Sequence, residues 1–484
     1  MLCKYSREIP AVFLTIKIYY YKIASMSEAK TSTIGKDFSL GQLIGFVSAP
    51  VITRLLVSFL STLDDALFVS RYCGQDALAA FSVALPWFMF IDAIGMVFSA
   101  VSTVCSIKMG EGKAEEAKRD FTTMAIVAFK VGVLFLLVLL FFKKEILLLL
   151  GETEILMPYA SSYFTISRFY IPLILVGYVF NSCYVVAGKP KWSMYSSTIN
   201  IFCQFFFDYL FIVRLNTGIV GAAYANVIGN ILVCLLGVIF YANKKHEICF
   251  ARAHDKVWEL CKTVFKYGRM QFVTSLAVSI GSFISNQVLL DIGQEKVVAA
   301  HTIVSNATFI FMNSFFGLVG SLSPLVGYAY GEKNAKKLSR ICRQSVMLVT
   351  ILMSILFAII FFGKNIVLDL YLTETSLPQI RTMALRGFYI YPLALLFFGY
   401  NVLVQDFANV LGRHKLSIFL SVMENFVFQN LTVLICPRLF GIDGIWISFP
   451  ICEVLTFILT CVAVYKNADV YGLGKDKVAT FVND

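Results

Sequence analysis

Apolar runs of about 20 residues or more recur along the whole chain between short polar stretches, and a helix of that length crosses the ~30 Å hydrocarbon core of a bilayer. About twelve spans are expected, near residues 38–70, 77–108, 121–142, 158–187, 192–213, 219–241, 272–290, 297–330, 345–362, 383–411, 416–434 and 442–465. The pattern predicts an all-α polytopic membrane protein. Residues 1–36 stand outside it: lysines and arginines surround an aromatic segment, 12–24, that is too short to span and leads to no signal-peptide cleavage site. Met26 opens MSEAKTSTIGKDF, an ordinary polar cytoplasmic start, so the residues before it are expected to be an over-extended start or a surface-lying tail.

The polar joints repeat. GEGKAEEAKR from Gly110 matches GEKNAKKLSR from Gly331, GQDALAA from Gly74 matches GQEKVVAA from Gly293, and Pro172 and Asn181 match Pro392 and Asn401. These pairs are all separated by nearly the same length of chain, and several matches at one offset mark an internal repeat. With six spans in each half, both halves enter the membrane in the same sense. Two six-helix bundles related by a pseudo-twofold axis along the membrane normal follow, with a cleft between them. The expected division is a tail at 1–36, a first lobe at 37–243, a charged connector at 244–266, a second lobe at 267–466 and a tail at 467–484.

Composition agrees with this reading. Of 484 residues 58% are hydrophobic and only 15% charged, and the mean hydropathy of +0.77 is too high for a soluble enzyme. The net charge of +11 is not a nucleic-acid signal, because the cations gather between spans and form no stripe with exposed aromatics. Connectors after even-numbered spans carry Lys108, Lys113, Lys118 and Arg119, then Lys189 and Lys191, then Lys244 and Lys245, then Lys333, Lys336, Lys337 and Arg340, then Arg413 and Lys415. By the positive-inside rule both termini are cytoplasmic, and the chain is expected in the inner (plasma) membrane of a cell, as a monomer in the lipid bilayer. The 12 Cys and four His form no metal-ligand spacing, and no nucleophile motif or complete phosphate-binding loop appears. An enzyme is therefore not expected, nor any resident cofactor or metal.

Polar residues inside the spans carry the chemistry. In the first span Arg54, Ser58, Ser61 and Asp65 fall at i, i+4, i+7 and i+11, one narrow stripe, while Asp64 points about 100° away. An ionised carboxylate in lipid needs a polar cavity or a partner, which makes Asp65 a cavity-facing acid. The alternative, neutralisation by Arg54, has to bridge about 16 Å along the helix. Carried into the second half by the repeat offset, the stripe becomes Ser275, Ser279, Ser282 and Asn286, polar again but uncharged, which concentrates titratable chemistry in the first half. In the fifth span Ser197, Asn200, Gln204 and Asp208 form a second stripe that suits a proton or small cation, or serves as a hydrogen-bonded seam between helices. Glu424 shares a face with Ser417 and Ser421 opposite Asn200 in the repeat, and either lines a cavity or is structural. Asp92, Asp406 and Glu453 read as structural or interfacial acids.

STLDDALFVSRYCGQDALAAFSVALP, the GEGKAEEA loop, GIVGAAYAN and PLVGYAYGEKNAKK together resemble the multidrug and toxic compound extrusion (MATE) family, in its bacterial MepA-like branch, over residues 38–466. The resemblance implies a cation-coupled antiporter, driven by H⁺ or Na⁺, that exports small amphipathic and often cationic compounds by alternating access. It carries coupling onto Asp65, with Ser70 where the family's following glycine stands, and onto Asp208 with Gln204 in place of an asparagine. Asn181 matches the fourth-span asparagine, and Asn226 stands where the family has threonine. The seventh-span glutamate of another branch is absent. A substrate cavity is expected to draw on Ser61, Asn200, Asn286 and Glu424. The competing reading, a flippase for lipid-linked saccharides of related architecture, calls for several intramembrane cations, whereas Arg54, Lys130, Arg168 and Arg386 are sparse.

Overall fold

The first helix shows how the sequence starts an element: Ser39 and Gln42 exchange side chain and backbone, Gln42 N–H donating to Ser39 Oγ (3.4 Å) and Ser39 N–H to Gln42 Oε1 (3.0 Å). This reciprocal cap satisfies two of the amides a helix start leaves bare. The computed structural model describes residues 34–64, 68, 72–73, 75–150, 156–371 and 378–468, and these are almost wholly helical.

In the first half α1 (Leu40–Asp64) is followed by α2 (Gln75–Ser99) and α3 (Val101–Gly110), which continue one another, and by α4 (Ala114–Leu149). Next, α5 (Met157–Ser167) and α6 (Tyr170–Val186) meet at a 51° bend. Pro172 accounts for the bend, since its ring has no N–H and crowds the carbonyl four residues back, at Arg168. The half closes with α7 (Pro190–Asp208), a π-helical turn at Tyr209–Arg214, and α8 (Ile219–Ala242).

The second half holds α9 (Val257–Gly331), α10 (Ala335–Tyr371), α11 (Pro378–Ile390), a 3₁₀ turn at Tyr391–Ala394 around Pro392, and α12 (Leu395–Val410). It ends with α13 (His414–Val422), a second π-helical turn at Met423–Phe428, α14 (Gln429–Phe440) and α15 (Ile442–Lys466). Ten described stretches are long and apolar enough to cross a membrane, and the bent α5–α6 pair makes an eleventh. This is a multi-pass membrane protein.

Two expected boundaries differ from the structure. The helix after the connector begins at Val257, so the charged residues 257–266 are helical and the connector proper is 243–256. The loop expected at 290–297 is absent: α9 is one helical assignment of 75 residues that turns back on itself without a loop, and its second arm starts as a span at Ala300. Straight, such a helix would be roughly 112 Å long, far beyond a bilayer. It doubles back instead: Tyr267 near its start lies within electrostatic reach of Tyr330 near its end, while Val297 packs on Ile445 at the far side. Both expected spans, 272–290 and 297–330, are thus arms of one helical hairpin.

The repeat is visible in the backbone. The left-handed turn residue Gly112 (φ 79°) has Lys333 (φ 54°) as its counterpart, Gly188 (69°) has Gly412 (80°), and Gly218 (63°) has Gly441 (59°). Each bundle has its own aromatic interior. In the first, Phe121, Phe180 and Tyr241 cluster with Phe250 of the connector, Phe121 and Tyr241 at 4.4 Å between centroids. In the second, Trp446 is fully buried against His301 and Gly387.

Candidate functional site

The halves meet chiefly where α1 and α3 pack on α9. The closest approach is reciprocal. Gly110 of α3 lies against the backbone of Tyr328 and Glu332, where an added Cβ would fall 2.8 Å from Glu332 N; Gly331 of α9 lies against Ile107, where a Cβ would fall 2.9 Å from its carbonyl carbon. Gly110 and Gly331 are repeat mates, and Ile107 and Tyr328 are mates at the same offset, so one contact is the image of the other. Helix backbones come this close only at glycine. The crossing adjoins the basic connectors, and two straps reinforce that end: Lys337 Nζ donates to Gly35 O (2.9 Å) and Gln344 Nε2 to Phe38 O (3.2 Å). The connector is pinned to the first bundle, where Ala251 N–H donates to Thr122 (3.0 Å) and His254 N–H to Thr123 (2.7 Å).

Away from this end, one face of α9 is left open, with Asn306, Phe309 and Phe316 exposed along it. Asn313 on the same face donates to Ser58 Oγ of α1 (3.1 Å), so the face looks toward the first half. Opposite it α1 presents Arg54, Ser58 and Ser61, the expected stripe, and α2 presents Met89 and Met96. The lining is aromatic and thioether with a few amides and hydroxyls, a surface that accepts flat apolar groups and fixes them by few polar contacts.

In the first bundle Asp208 is 4% exposed at the end of α7, where the π-helical turn begins. Such turns often mark functional sites. One turn back, Gln204 Nε2 donates to Asn226 Oδ1 of α8 (2.9 Å), so the structure brings two expected site residues together beside Asp208. Asn200, a turn earlier, fits against Gly229. Asp65 lies outside the described residues, as does the side chain of Asp64. Two described neighbours of Asp65 in the chain do meet α7 and Asp208: Phe68 packs edge-on against Phe205 at 5.5 Å, and Cys73 is within electrostatic reach of Asp208. Asn181 is not brought in. It accepts from Ser193 Oγ (3.5 Å), eleven residues and about 16 Å along the helix from Gln204.

The side chain of Asn286 also lies outside the described residues. Glu424, 4% exposed within the second π-helical turn, faces the interior of its own bundle and accepts from Gln405 Nε2. One turn from Gln405 on the same helix, Asn401 donates to Glu453 Oε2 (2.9 Å), and Asp406 takes a hydrogen bond from Ser323. Three carboxylates therefore sit inside the second bundle on amide and hydroxyl donors, and among the described residues no cation lies within salt-bridge distance of them. The i, i+4 spacing of Asn401 and Gln405 was the available signal for this set.

Comparison with known proteins agrees with this architecture. The sequence model of a family described as MatE matches residues 50–210 and 271–432, one stretch in each half and about two thirds of the chain together. A protein of Staphylococcus saprophyticus named "Multidrug export protein MepA" is 20% identical over 464 residues, covering 94% of this chain and 96% of its own. A Staphylococcus aureus protein of the same name is 20% identical over 461 residues, with the same coverage of 94% and 96%. Among solved structures, an "outward-facing conformation of a multidrug resistance MATE family transporter of the MOP superfamily" superposes with a TM-score of 0.85 at 21% identity, covering 92% of this chain and 99% of the other. A MATE "in the straight conformation" gives 0.84 at 20% identity with the same coverage of 92% and 99%. At these identities the superpositions speak for the fold.

Proposed function

The chain belongs to the MatE family, and from that premise we propose that it is a cation-coupled antiporter, driven by H⁺ or Na⁺, that exports small amphipathic and often cationic compounds by alternating access. Multidrug export is what the names of its relatives state. The observation that carries the mechanism is the reciprocal crossing of Gly110 and Gly331. Two repeated bundles touch backbone to backbone at one end and leave polar and aromatic faces open beyond it, the geometry of a carrier sealed on one side. The positive-inside rule puts the sealed end and both termini in the cytoplasm, so the open side faces out across the plasma membrane. The working unit is a single chain in lipid, with lobes at 37–243 and 267–466 rocking about the crossing.

Coupling is assigned to Asp65 and Asp208, supported by the buried Asp208 beside the Gln204–Asn226 pair and by the approach of Phe68 and Cys73 to that helix. Ion binding there drives the sealed and open states apart in energy, and substrate leaves as the ion enters. One charge crossing 100 mV is worth about 2.3 kcal/mol, roughly a fifty-fold substrate gradient. The test loads vesicles with a fluorescent organic cation under separately imposed Na⁺ and H⁺ gradients. Wild type should export under one of them, and Asp208→Asn should abolish that export while keeping the elution profile of the folded protein. Equal rates in wild type and variant would remove Asp208 from the mechanism.

A further inference from the structure

The repeat sets two contacts of the cleft side by side. In one, Ser275 of α9 donates to Met96 Sδ of α2 (3.7 Å). The repeat counterpart of Ser275 is Arg54, and that of Met96 is Gly317. These two also meet, for a Cβ added to Gly317 would fall 3.0 Å from Arg54 Cγ. Where the second half has a small residue against a methionine, the first has an arginine against a glycine. The glycine makes the room that the arginine stem fills, which seats Arg54 against α9 at the floor of the cleft.

Its charge is left over. Arg54 stands near the middle of α1 and is exposed, and among the described residues no carboxylate lies within salt-bridge distance of it. It lies within electrostatic reach of the Tyr178 hydroxyl, which already donates to Asp92 Oδ1 (3.3 Å). A cation at mid-membrane persists where it faces water or a counter-ion, and Arg54 faces a cleft lined by aromatics, thioethers and a few uncharged amides and hydroxyls. A planar guanidinium with its fork of donors is the group that best recognises a carboxylate or phosphate.

We propose that Arg54 is an anion-binding group of the substrate cleft, and that it gives amphipathic substrates bearing a carboxylate, zwitterions included, an advantage over their uncharged or purely cationic analogues. This rests on the export reading and narrows its substrate class. The step is binding alone, a bidentate ion pair between Arg54 and two oxygens of the ligand.

The test needs no ion gradient. A rhodamine with a free carboxylate and its methyl ester are titrated by fluorescence anisotropy against the full chain in phosphatidylcholine nanodiscs. Wild type should bind the acid about tenfold more tightly than the ester, the scale of one charge-assisted hydrogen-bonded pair. Arg54→Gln should bring the ratio to about one, and Arg54→Lys should retain part of it. Equal affinities in wild type, or an acid preference that survives Arg54→Gln, would overturn the proposal; the wild-type ratio decides it even if Arg54→Gln does not fold. A preference that disappears only in phosphatidylglycerol nanodiscs assigns the anion to a lipid phosphate, and one that persists there assigns it to the soluble substrate. Correct ratios with no gradient-driven export would sink the antiport reading and leave this one standing.

Discussion

Replacing Gly331 by alanine puts one methyl group where the molecule has none to spare. The new Cβ would fall 2.9 Å from Ile107 C and 3.1 Å from Ile107 Cα, and nearer still to the carbonyl oxygen, all of it backbone that cannot swing aside. Ordinary contact begins at 3.4 Å, so α3 and α9 must part by about 1 Å at the crossing, losing dispersion contacts along it. Overpacking of this kind costs about 1–3 kcal/mol. On the alternating-access reading the crossing exists only in the state sealed at the basic end, so that cost falls on one state, and the balance between states should move by ~5- to 150-fold.

The assay is alkylation of a cysteine placed at Ser106, which is 0% exposed and packs against Gly327 one turn from the crossing. Peptide mass spectrometry separates its labelling from that of the native cysteines. Gly331→Ala should raise labelling at position 106 at least fivefold, with a step of that size set by the lower end of the overpacking range. Gly110→Ala should do the same, since it meets Tyr328 and Glu332 in the mirrored contact. The double variant should fall short of the sum, because a crossing already open cannot be opened again. Gly320→Ala is the control on the same helix: nothing lies within 4 Å of its added Cβ, and alanine is the better helix former. If Gly331→Ala labels like wild type, the reciprocal contact does not hold the seal and the argument for a carrier sealed at that end fails.

Three further outcomes follow from the buried polar groups and the connector. Gln405→Leu removes the donor from Glu424 inside the second bundle and should destabilise the protein by about 1–3 kcal/mol, whereas Glu424→Gln, which can still pair with Gln405, should cost less; thermal unfolding in detergent ranks them, and the reverse order would refute the assignment. Gln204→Leu breaks the bond to Asn226 and should weaken the coupling ion's apparent affinity in vesicle transport more than it lowers the maximal rate, a split that a merely structural seam between α7 and α8 would not produce. In the connector, His246 stacks on Phe240 at 4.0 Å, and burial first, then Lys189, holds it below its ordinary 6.5. The unfolded connector therefore takes up the proton first, so its docking is undiminished above pH 6.5 and weakens as pH falls below that value. Hydrogen exchange over 243–250, corrected for intrinsic rates, should rise on crossing that pH and should not in His246→Phe.

The spans were legible because membrane helices must bury every backbone polar group within themselves, which forces runs of fixed length that composition betrays. The repeat was legible because its joints kept glycines and charges at one offset. What those letters do was not. GEGKAEEAKR and GEKNAKKLSR read as two matching cytoplasmic turns, yet Gly110 and Gly331 matter because each touches the helix of the other's half. No periodicity within one helix reports a contact between two. The same limit explains Asn181, which the resemblance groups with Gln204 and Asn226 but which pairs with Ser193, about three turns from Gln204 along α7. A strict twofold would have given both sides of the floor the same residues, so it is the departures from symmetry, Arg54 against Ser275 and Gly317 against Met96, that carry information about the cargo. Repeats fix the frame of such a carrier, and its selectivity has to be sought where the two copies disagree.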